Sequence, residues 1–162
     1  ADFLTLATRC KYEAQDYHYK NGIHMPCDIL CNRIGSLNQV YTQMAGQRPL
    51  GCCILMIGVD DEHGAMLYKV DPAGLSVPFR GISVGAKYVE ASALLERKIK
   101  KKMPATREET LEVALAVLIQ TVGADLKATD IEVAEVSFQD PNFRILPDDE
   151  VEEFLNRISD KS

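Results

Sequence analysis

The chain has 162 residues, 46% of them hydrophobic and 26% charged, and its 18 basic and 24 acidic side chains give a net charge of −6. This composition predicts a globular protein with one domain, residues 1–162, that buries a core. The negative net charge argues against a surface that binds nucleic acid. No apolar run approaches the roughly 20 residues that cross a bilayer, so we expect no membrane segment and no secretory leader, and a location in the cytoplasm and nucleus.

The cysteines predict neither a disulfide framework nor a zinc site. Their number is odd, and no CxxC pair or matching CxxH spacing supplies four ligands. Cys27 and Cys31 are four residues apart, which places them on one face of a helix. Packing is the favoured interpretation of this pair and metal binding the minor one, so we expect no cofactor. The cysteines are Cys10, Cys27, Cys31, Cys52 and Cys53.

The first two segments predict helices. Residues 1–22 end in Asn-Gly, a usual C-terminal stop, and the segment begins without a cap, as expected for a chain cut from a longer sequence. In residues 25–46, apolar side chains recur at steps of four and three, the stripe of an amphipathic helix. Pro26 suits the first turn of this helix, and Asp28 suits its positive end.

The apolar run LGCCILMIGV, residues 50–59, predicts a strand covered on both faces. Residues 66–70 and 75–84 predict two more strands, and the short turns between the strands predict an antiparallel meander. Because neighbouring residues of a strand point to opposite faces, we expect Cys52 and Cys53 to enter different layers as packing residues rather than to form a redox pair.

The second half of the chain predicts two helices, a strand and a final helix. The helix at residues 86–103 ends in a basic cluster, RKIKKK, which is either an import or anion-binding patch or, as we favour, a solvated helix end. Thr106 and Glu109 form a predicted capping box that opens the next helix. A strand at residues 131–138 and a helix from Pro147 complete a layered α+β protein with an antiparallel sheet.

The sequence contains no motif for nucleophilic or phosphate-binding chemistry. A GxSxG elbow, a P-loop and a GxGxxG stretch are all missing, and the three histidines lie near a helix end or in a polar turn. The paired carboxylates Asp60-Asp61 and Asp148-Asp149 occur at a turn and at a helix start, where they need no catalytic explanation. We therefore expect a protein that is not an enzyme.

Residues 41–74, YTQMAGQRPLGCCILMIGVDDEHGAMLYKVDPAG, resemble the central signature of the alpha-type subunits of the 20S proteasome. The matching features are YTQ, RP-G, an apolar strand, G-D with a short acidic turn, LY and DP-A-G, in that order. RPLGCC and the LERKIKKK helix end are most similar to the type at the first ring position. The residues to which the resemblance gives a structural role, named the signature residues, are Arg48, Pro49, Gly51, Gly58, Asp60, Asp71, Pro72, Gly74 and Gly85.

The resemblance implies an α+β fold of the N-terminal nucleophile hydrolase type, an αββα sandwich whose N-terminal strands are missing from this chain. It implies a non-catalytic structural subunit of the outer alpha ring, which contributes to core particle assembly and to ubiquitin-dependent protein degradation. The implied partners are neighbouring alpha subunits, the beta ring, assembly chaperones and the regulatory particle. The residues implied to face the beta ring are Tyr19, Lys20, Asn21, Gly22 and Asp28.

Two alternatives stay open. An active hydrolase of this fold would need an N-terminal Thr, Ser or Cys, whereas residue 1 is Ala1. An independent protein-interaction module that retains part of the fold would be a stable monomer.

Missing strands, by contrast, are expected to leave unpaired sheet edges through which the isolated chain self-associates. Glu135 stands where the family pattern predicts an apolar residue, and it is a candidate for such an altered edge.

Overall fold

The computed structural model describes residues 1–123 and 126–159. Contacts between Cα atoms divide the chain into two compact units, Ala1–Arg80 and Gly81–Ser162, and each unit has its own hydrophobic core. No helix within the described residues is both long and apolar enough to cross a bilayer. The single domain expected from the chain length stays a prediction.

The first unit consists of two helices followed by a three-stranded antiparallel sheet. The strands lie in the order β1-β2-β3, with Ile54 opposite Val70 and Asp60 opposite Gly64. The two predicted helices and the predicted meander are confirmed, although the third strand is shorter than expected. The elements are α1 (Asp2–Asn21), α2 (Cys27–Gln43), β1 (Ile54–Asp60), β2 (Gly64–Val70) and β3 (Ser76–Pro78).

Apolar side chains of both helices pack against one face of this sheet. In β1, the buried Ile54 and Met56 alternate with Leu55 and Ile57, which are each 39% exposed. Successive strand residues point to opposite faces, so α1 and α2 cover only one face of β1. The expectation of a strand covered on both faces is therefore wrong. The buried core residues of the unit are Leu6, Cys31, Ile34, Ile54, Met56 and Val70.

The two adjacent cysteines lie before β1 rather than within it, since the strand begins at Ile54. Just upstream, the Gly51 amide donates to the Asp2 carboxylate at 2.8 Å and not to a neighbouring strand. Cys52 is half-buried against the core, whereas Cys53 is exposed. The packing interpretation thus holds for Cys52 and is wrong for Cys53.

A close backbone contact joins α2 to the turn between β2 and β3. A Cβ atom on Gly74 would lie 2.4 Å from the Gly35 carbonyl oxygen, and one on Gly35 would lie 2.5 Å from the Gly74 oxygen. Gly74 also has a φ of +94°, a conformation that favours glycine. Beside this contact, the buried Asn38 side chain donates to the Asp71 carbonyl oxygen at 3.1 Å. The two glycines therefore set how closely α2 approaches the sheet.

Over residues 81–123 and 126–159, the second unit contains three α-helices, a short 3-10 helix at Ala128–Asp130 and a two-stranded sheet. Its α-helices and strands are α3 (Tyr88–Lys101), α4 (Arg107–Val122), β4 (Ala134–Glu135), β5 (Arg144–Ile145) and α5 (Asp148–Ser159). The α4 and α5 helices supply most of its core, because apolar side chains recur on their inner faces. The buried core residues are Leu111, Leu115, Ala128, Leu146, Val151, Phe154 and Leu155.

The start of α4 is capped by its own side chains. Thr106 Oγ1 accepts a hydrogen bond from the Glu109 amide at 3.2 Å. The Glu109 carboxylate reaches back and accepts from the Ala105 amide at 2.9 Å. Because the bond goes to Ala105 rather than to Thr106, the predicted capping box is displaced by one residue at its second bond.

The strand predicted at residues 131–138 is reduced to β4, in which Glu135 lies opposite Arg144 of the unexpected β5. The Glu135 carboxylate accepts from Arg107 Nε at 2.8 Å and from Arg144 Nε at 2.7 Å. Glu150 joins the network by accepting from Arg107 Nη2 at 2.6 Å. Burial raises the pKa of Glu135, but the two arginines outweigh that effect and lower it. The departure from an apolar pattern therefore serves an ion-pair network at the β4-β5 hairpin.

Gly74→Ala is expected to destabilise the protein by about 3 kcal/mol or more, because the new methyl group would overlap the α2 backbone and φ is positive. Gly46→Ala is the matched control: φ is +85° there, but a Cβ atom would meet nothing within 4 Å. The control should cost only about 1–2 kcal/mol. Urea unfolding followed by circular dichroism measures both values, and equal costs for the two variants would contradict the close-contact argument.

Candidate functional site

Two signature residues hold the start of α1. The Arg48 guanidinium donates to both oxygens of the Asp2 carboxylate, and each N–O distance is 2.8 Å. The Gly51 amide donates to the same carboxylate at 2.8 Å. Arg48 also donates to the carbonyl oxygen of the adjacent Pro49 at 3.2 Å. We name Asp2, Arg48 and Gly51 the Asp2 junction.

The electrostatics of the Asp2 junction favour the charged forms of both partners. Hydrogen bonds from Arg48 and from the Gly51 amide hold the pKa of the Asp2 carboxyl well below its usual range. The bond to Asp2 also raises the pKa of Arg48. The Arg48 side chain is 71% exposed, so solvent and salt screen the pair. The bidentate geometry makes the contact specific for arginine.

The two signature aspartates close the turns of the sheet. Asp60 Oδ1 accepts from the backbone amides of Glu62 and His63, at 3.0 and 2.5 Å. Asp71 Oδ1 accepts from the Leu75 amide at 2.9 Å, in the turn that contains Pro72. Aspartate commonly stabilises turns by binding backbone amides a few residues ahead. These carboxylates therefore have structural partners within the chain.

The remaining signature glycines lie where side chains would interfere or where the backbone turns. A Cβ atom on Gly58 would lie 2.7 Å from the Cβ atom of Cys27, so the start of α2 packs directly on β1. Gly85 has a φ of +110°, and its carbonyl oxygen accepts from the Tyr88 amide at 3.3 Å, at the start of α3. Both positions thus favour glycine for local reasons.

Sequence reasoning missed Glu13, which links α1 to α2. This residue is only 6% exposed, and its carboxylate contacts Arg9 at 2.6 Å and Arg33 at 2.9 Å. Burial raises its pKa, but the arginines outweigh burial and lower it. Asp2 was missed as well. The only sequence signal for each residue was an acidic side chain within α1, and that signal does not identify a partner 20 or 46 residues away.

The residues predicted to face the beta ring lie at the end of α1 and the start of α2. Tyr19 is 90% exposed and stands beside the α1 terminus, which Gly22 closes with a φ of +74°. Lys20 pairs with Asp16 at 2.6 Å, and Asn21 donates to the Tyr17 carbonyl oxygen at 2.9 Å. Asp28 lies in the first turn of α2, and one of its carboxylate oxygens is buried without a hydrogen-bond partner among the described residues. The partner that this surface contacts stays a prediction.

The basic cluster at the end of α3 is partly paired within the chain. Lys100 contacts Glu96 at 2.6 Å, and Lys102 bonds to Glu109. These pairs are consistent with a solvated helix end, which stays the favoured interpretation. Across residues 1–123 and 126–159, no three His, Cys, Asp or Glu side chains gather into a metal-ligand set.

Arg48→Lys is expected to lower the midpoint of thermal unfolding at neutral pH. The planar guanidinium binds both oxygens of Asp2, and a lysine ammonium group lacks this bidentate geometry. The folded-state pKa of Asp2 is lowered, so its contribution is fully present above the unfolded-state pKa of about 3.9. That contribution is lost as the pH falls from about 3.9 toward the lower folded-state pKa. Circular dichroism melts across this pH range measure the midpoints.

The difference between Arg48→Lys and the unchanged chain should therefore be largest near neutral pH and should shrink in acid. Arg80→Lys, another exposed arginine of the first unit, is the control and should leave the midpoint unchanged at every pH. A midpoint difference for Arg48→Lys that stays constant from neutral pH into acid would overturn the assignment of Asp2 as its partner.

Comparison with known proteins identifies the relationship. The family model described as "Proteasome subunit" matches residues 1–136. The chain is 43% identical over 153 residues to "Proteasome subunit alpha type-6" of Caenorhabditis elegans, which covers 94% of this chain and 62% of the relative. It is 37% identical over 162 residues to "Probable proteasome subunit alpha type-1" of Schizosaccharomyces pombe, which covers 99% of this chain and 66% of the relative.

An archaeal relative matches over a similar extent. The chain is 33% identical over 158 residues to "Proteasome subunit alpha" of Pyrococcus horikoshii, covering 98% of this chain and 59% of the relative. The chain thus spans less than two thirds of the length of these relatives. The family match and the mixed helix and sheet content confirm the predicted resemblance and the α+β class of N-terminal nucleophile hydrolase type. The chain belongs to the proteasome subunit family.

Proposed function

We propose that this chain is a non-catalytic structural subunit of the outer alpha ring of the 20S proteasome, of the type at the first ring position. The observation that carries the proposal is the match to relatives named as alpha-type subunits over 94% or more of the chain. In this role the protein contributes to core particle assembly and to ubiquitin-dependent protein degradation in the cytoplasm and nucleus.

The local geometry supports a structural role for the signature residues. Arg48 and Gly51 bind the first turn of α1, and Asp71 binds the amide of its own turn. Gly74 and Gly58 allow α2 to approach the sheet. Each of these residues therefore has a folding task that explains its presence without a substrate.

We assign the contact with the beta ring to the α1 terminus and the start of α2. Tyr19 supports this assignment, because an aromatic side chain that is 90% exposed is typical of a contact residue in an interface. Lys20 and Asn21 already have partners within α1, so they are expected at the rim of the contact. Neighbouring alpha subunits, assembly chaperones and the regulatory particle are the other proposed partners.

Native mass spectrometry of the endogenous protein, captured by affinity from its source cells, tests the proposal. We expect a large complex that contains both alpha-type and beta-type proteasome subunits. Tyr19→Ala should reduce the captured beta-type subunits, because it removes an exposed aromatic contact. Lys11→Ala, another exposed position on α1, is the matched control and should capture as much as the unchanged protein.

The alternative is an independent interaction module. It would appear in the same experiment as a free species at the chain mass of 18.0 kDa, with no proteasome subunit captured. That outcome would overturn the proposed ring function. Equal capture by Tyr19→Ala and the unchanged protein, within a large complex, would overturn only the assignment of the contact surface.

We further propose that the isolated chain self-associates through the sheet of its first unit. β1 is an edge strand among the described residues, and its Leu55 and Ile57 are each 39% exposed. An edge strand with apolar side chains is a template for pairing with another chain. The proposed partner here is a second copy of this chain.

Analytical ultracentrifugation at micromolar concentration is expected to find a dimer or larger species. Ile57→Lys should shift the chain toward the monomer, because a charged side chain blocks strand addition. Val89→Lys changes a comparably apolar residue on α3, 65% exposed and outside the sheet, and should leave the association unchanged. A monomeric unchanged chain would contradict self-association and would favour the interaction module.

A further inference from the structure

A groove lies between α1 and α2 of the first unit. Its volume is about 580 Å³, within the range of about 300–1,000 Å³ that is usual for small-molecule sites. The buried side chains of Leu6 and Ile34 lie at its base, and Tyr12 of α1 and Tyr41 of α2 each contribute an exposed aromatic ring to its lining. The groove therefore offers an apolar and partly aromatic surface to a ligand.

One polar residue of the lining has an oxygen atom without a partner. Asn38 lines the groove and is only 1% exposed. Its Nδ2 atom donates to the Asp71 carbonyl oxygen at 3.1 Å, and because a carbonyl oxygen can only accept, this bond fixes the orientation of the amide. Asn38 Oδ1 is left buried without a hydrogen-bond partner among the described residues. A buried acceptor without a partner costs free energy, which a ligand with a donor group recovers.

The charges around the groove favour an uncharged ligand. Among the described residues that line it, the one charged side chain is Arg9, and its Nη2 atom contacts Glu13 Oε1 at 2.6 Å. The Arg9 guanidinium also lies over the Tyr12 ring, 5.3 Å from the ring centroid. Because Arg9 is already paired within the chain, it does little to offset the cost of removing a charged ligand from water.

We propose that this groove binds an uncharged aromatic molecule that carries one N–H donor, as an indole does. The ring packs against Leu6, Ile34 and the tyrosine rings of the lining, and the N–H group donates to Asn38 Oδ1. Aromatic rings pack favourably against one another, and a donor with no acceptor atom matches a lone buried oxygen. The site is separate from the proposed ring function and does not depend on it.

Titration of the full chain with indole, followed by two-dimensional amide NMR, tests the site. We expect indole to shift the signals of α1 and α2 residues around the groove, together with the side-chain amide of Asn38. For a molecule of this size, a Kd on the order of 1 mM is expected. Benzofuran is the matched control ligand, because it has the same shape with an oxygen in place of the N–H group. It should bind at least about 5-fold more weakly, since it leaves Asn38 Oδ1 without a donor.

A pair of variants locates the binding in the groove. Thr8 is an exposed residue of the lining, so the ring added by Thr8→Phe fills the groove from its rim without entering the core. The shifts caused by indole should be lost in this variant. Ser36→Phe adds the same ring at an exposed position of α2 outside the lining, and it should bind indole as the unchanged chain does.

Equal affinities for indole and benzofuran would overturn the proposed ligand class, because the Asn38 oxygen would then contribute nothing to binding. Unchanged binding in Thr8→Phe, or no shift around the groove at about 10 mM indole, ten times the expected Kd, would overturn the site itself. Circular dichroism checks that both variants are folded. The comparison of the two ligands uses the unchanged chain, so it decides even where Thr8→Phe does not fold.

Discussion

The first unit depends on one backbone contact, between Gly35 of α2 and Gly74 in the turn after β2. Each glycine lies where a Cβ atom would stand within 2.5 Å of the other residue's carbonyl oxygen. At that distance the buried Asn38 amide reaches the Asp71 carbonyl oxygen, and Ile34 enters the core against Val70. Close packing makes such a contact sensitive to a single added methyl group. The close position of α2 on the sheet therefore requires glycine, which has no Cβ atom, at both positions.

Electrostatic contacts then attach α1 to the same unit. Arg48 and the Gly51 amide bind Asp2 in its first turn, and Arg33 of α2 binds the buried Glu13. These contacts lie at different points of α1, so they fix the helix along its length against α2 and the segment before β1. The RP-G part of the family signature thus acts as a connection between two elements, which agrees with a structural subunit.

Much of the first unit followed from the sequence, because helical periodicity and short turns are local signals. The sequence also singled out Gly74, which the DP-A-G turn contains. Asp2 and Glu13 could not be predicted, since their partners lie 46 and 20 residues away. The strand around Glu135 was overestimated, because the apolar pattern gave no sign that only Ala134 and Glu135 would find a partner strand or that two arginines would bind the glutamate. Local periodicity thus predicts elements, whereas it does not predict charge pairs between residues that are distant in the sequence.

The close contact at the two glycines predicts that α2 and the sheet form one cooperative unit. Amide hydrogen exchange, followed by mass spectrometry, measures this directly, because residues that open together lose protection together. Peptides from α2 and from β1-β2 are expected to exchange at similarly slow rates, and Gly74→Ala should accelerate both by the same factor. An α2 helix that exchanges far faster than β1-β2 in the unchanged chain, or that keeps its protection in Gly74→Ala, would contradict the account.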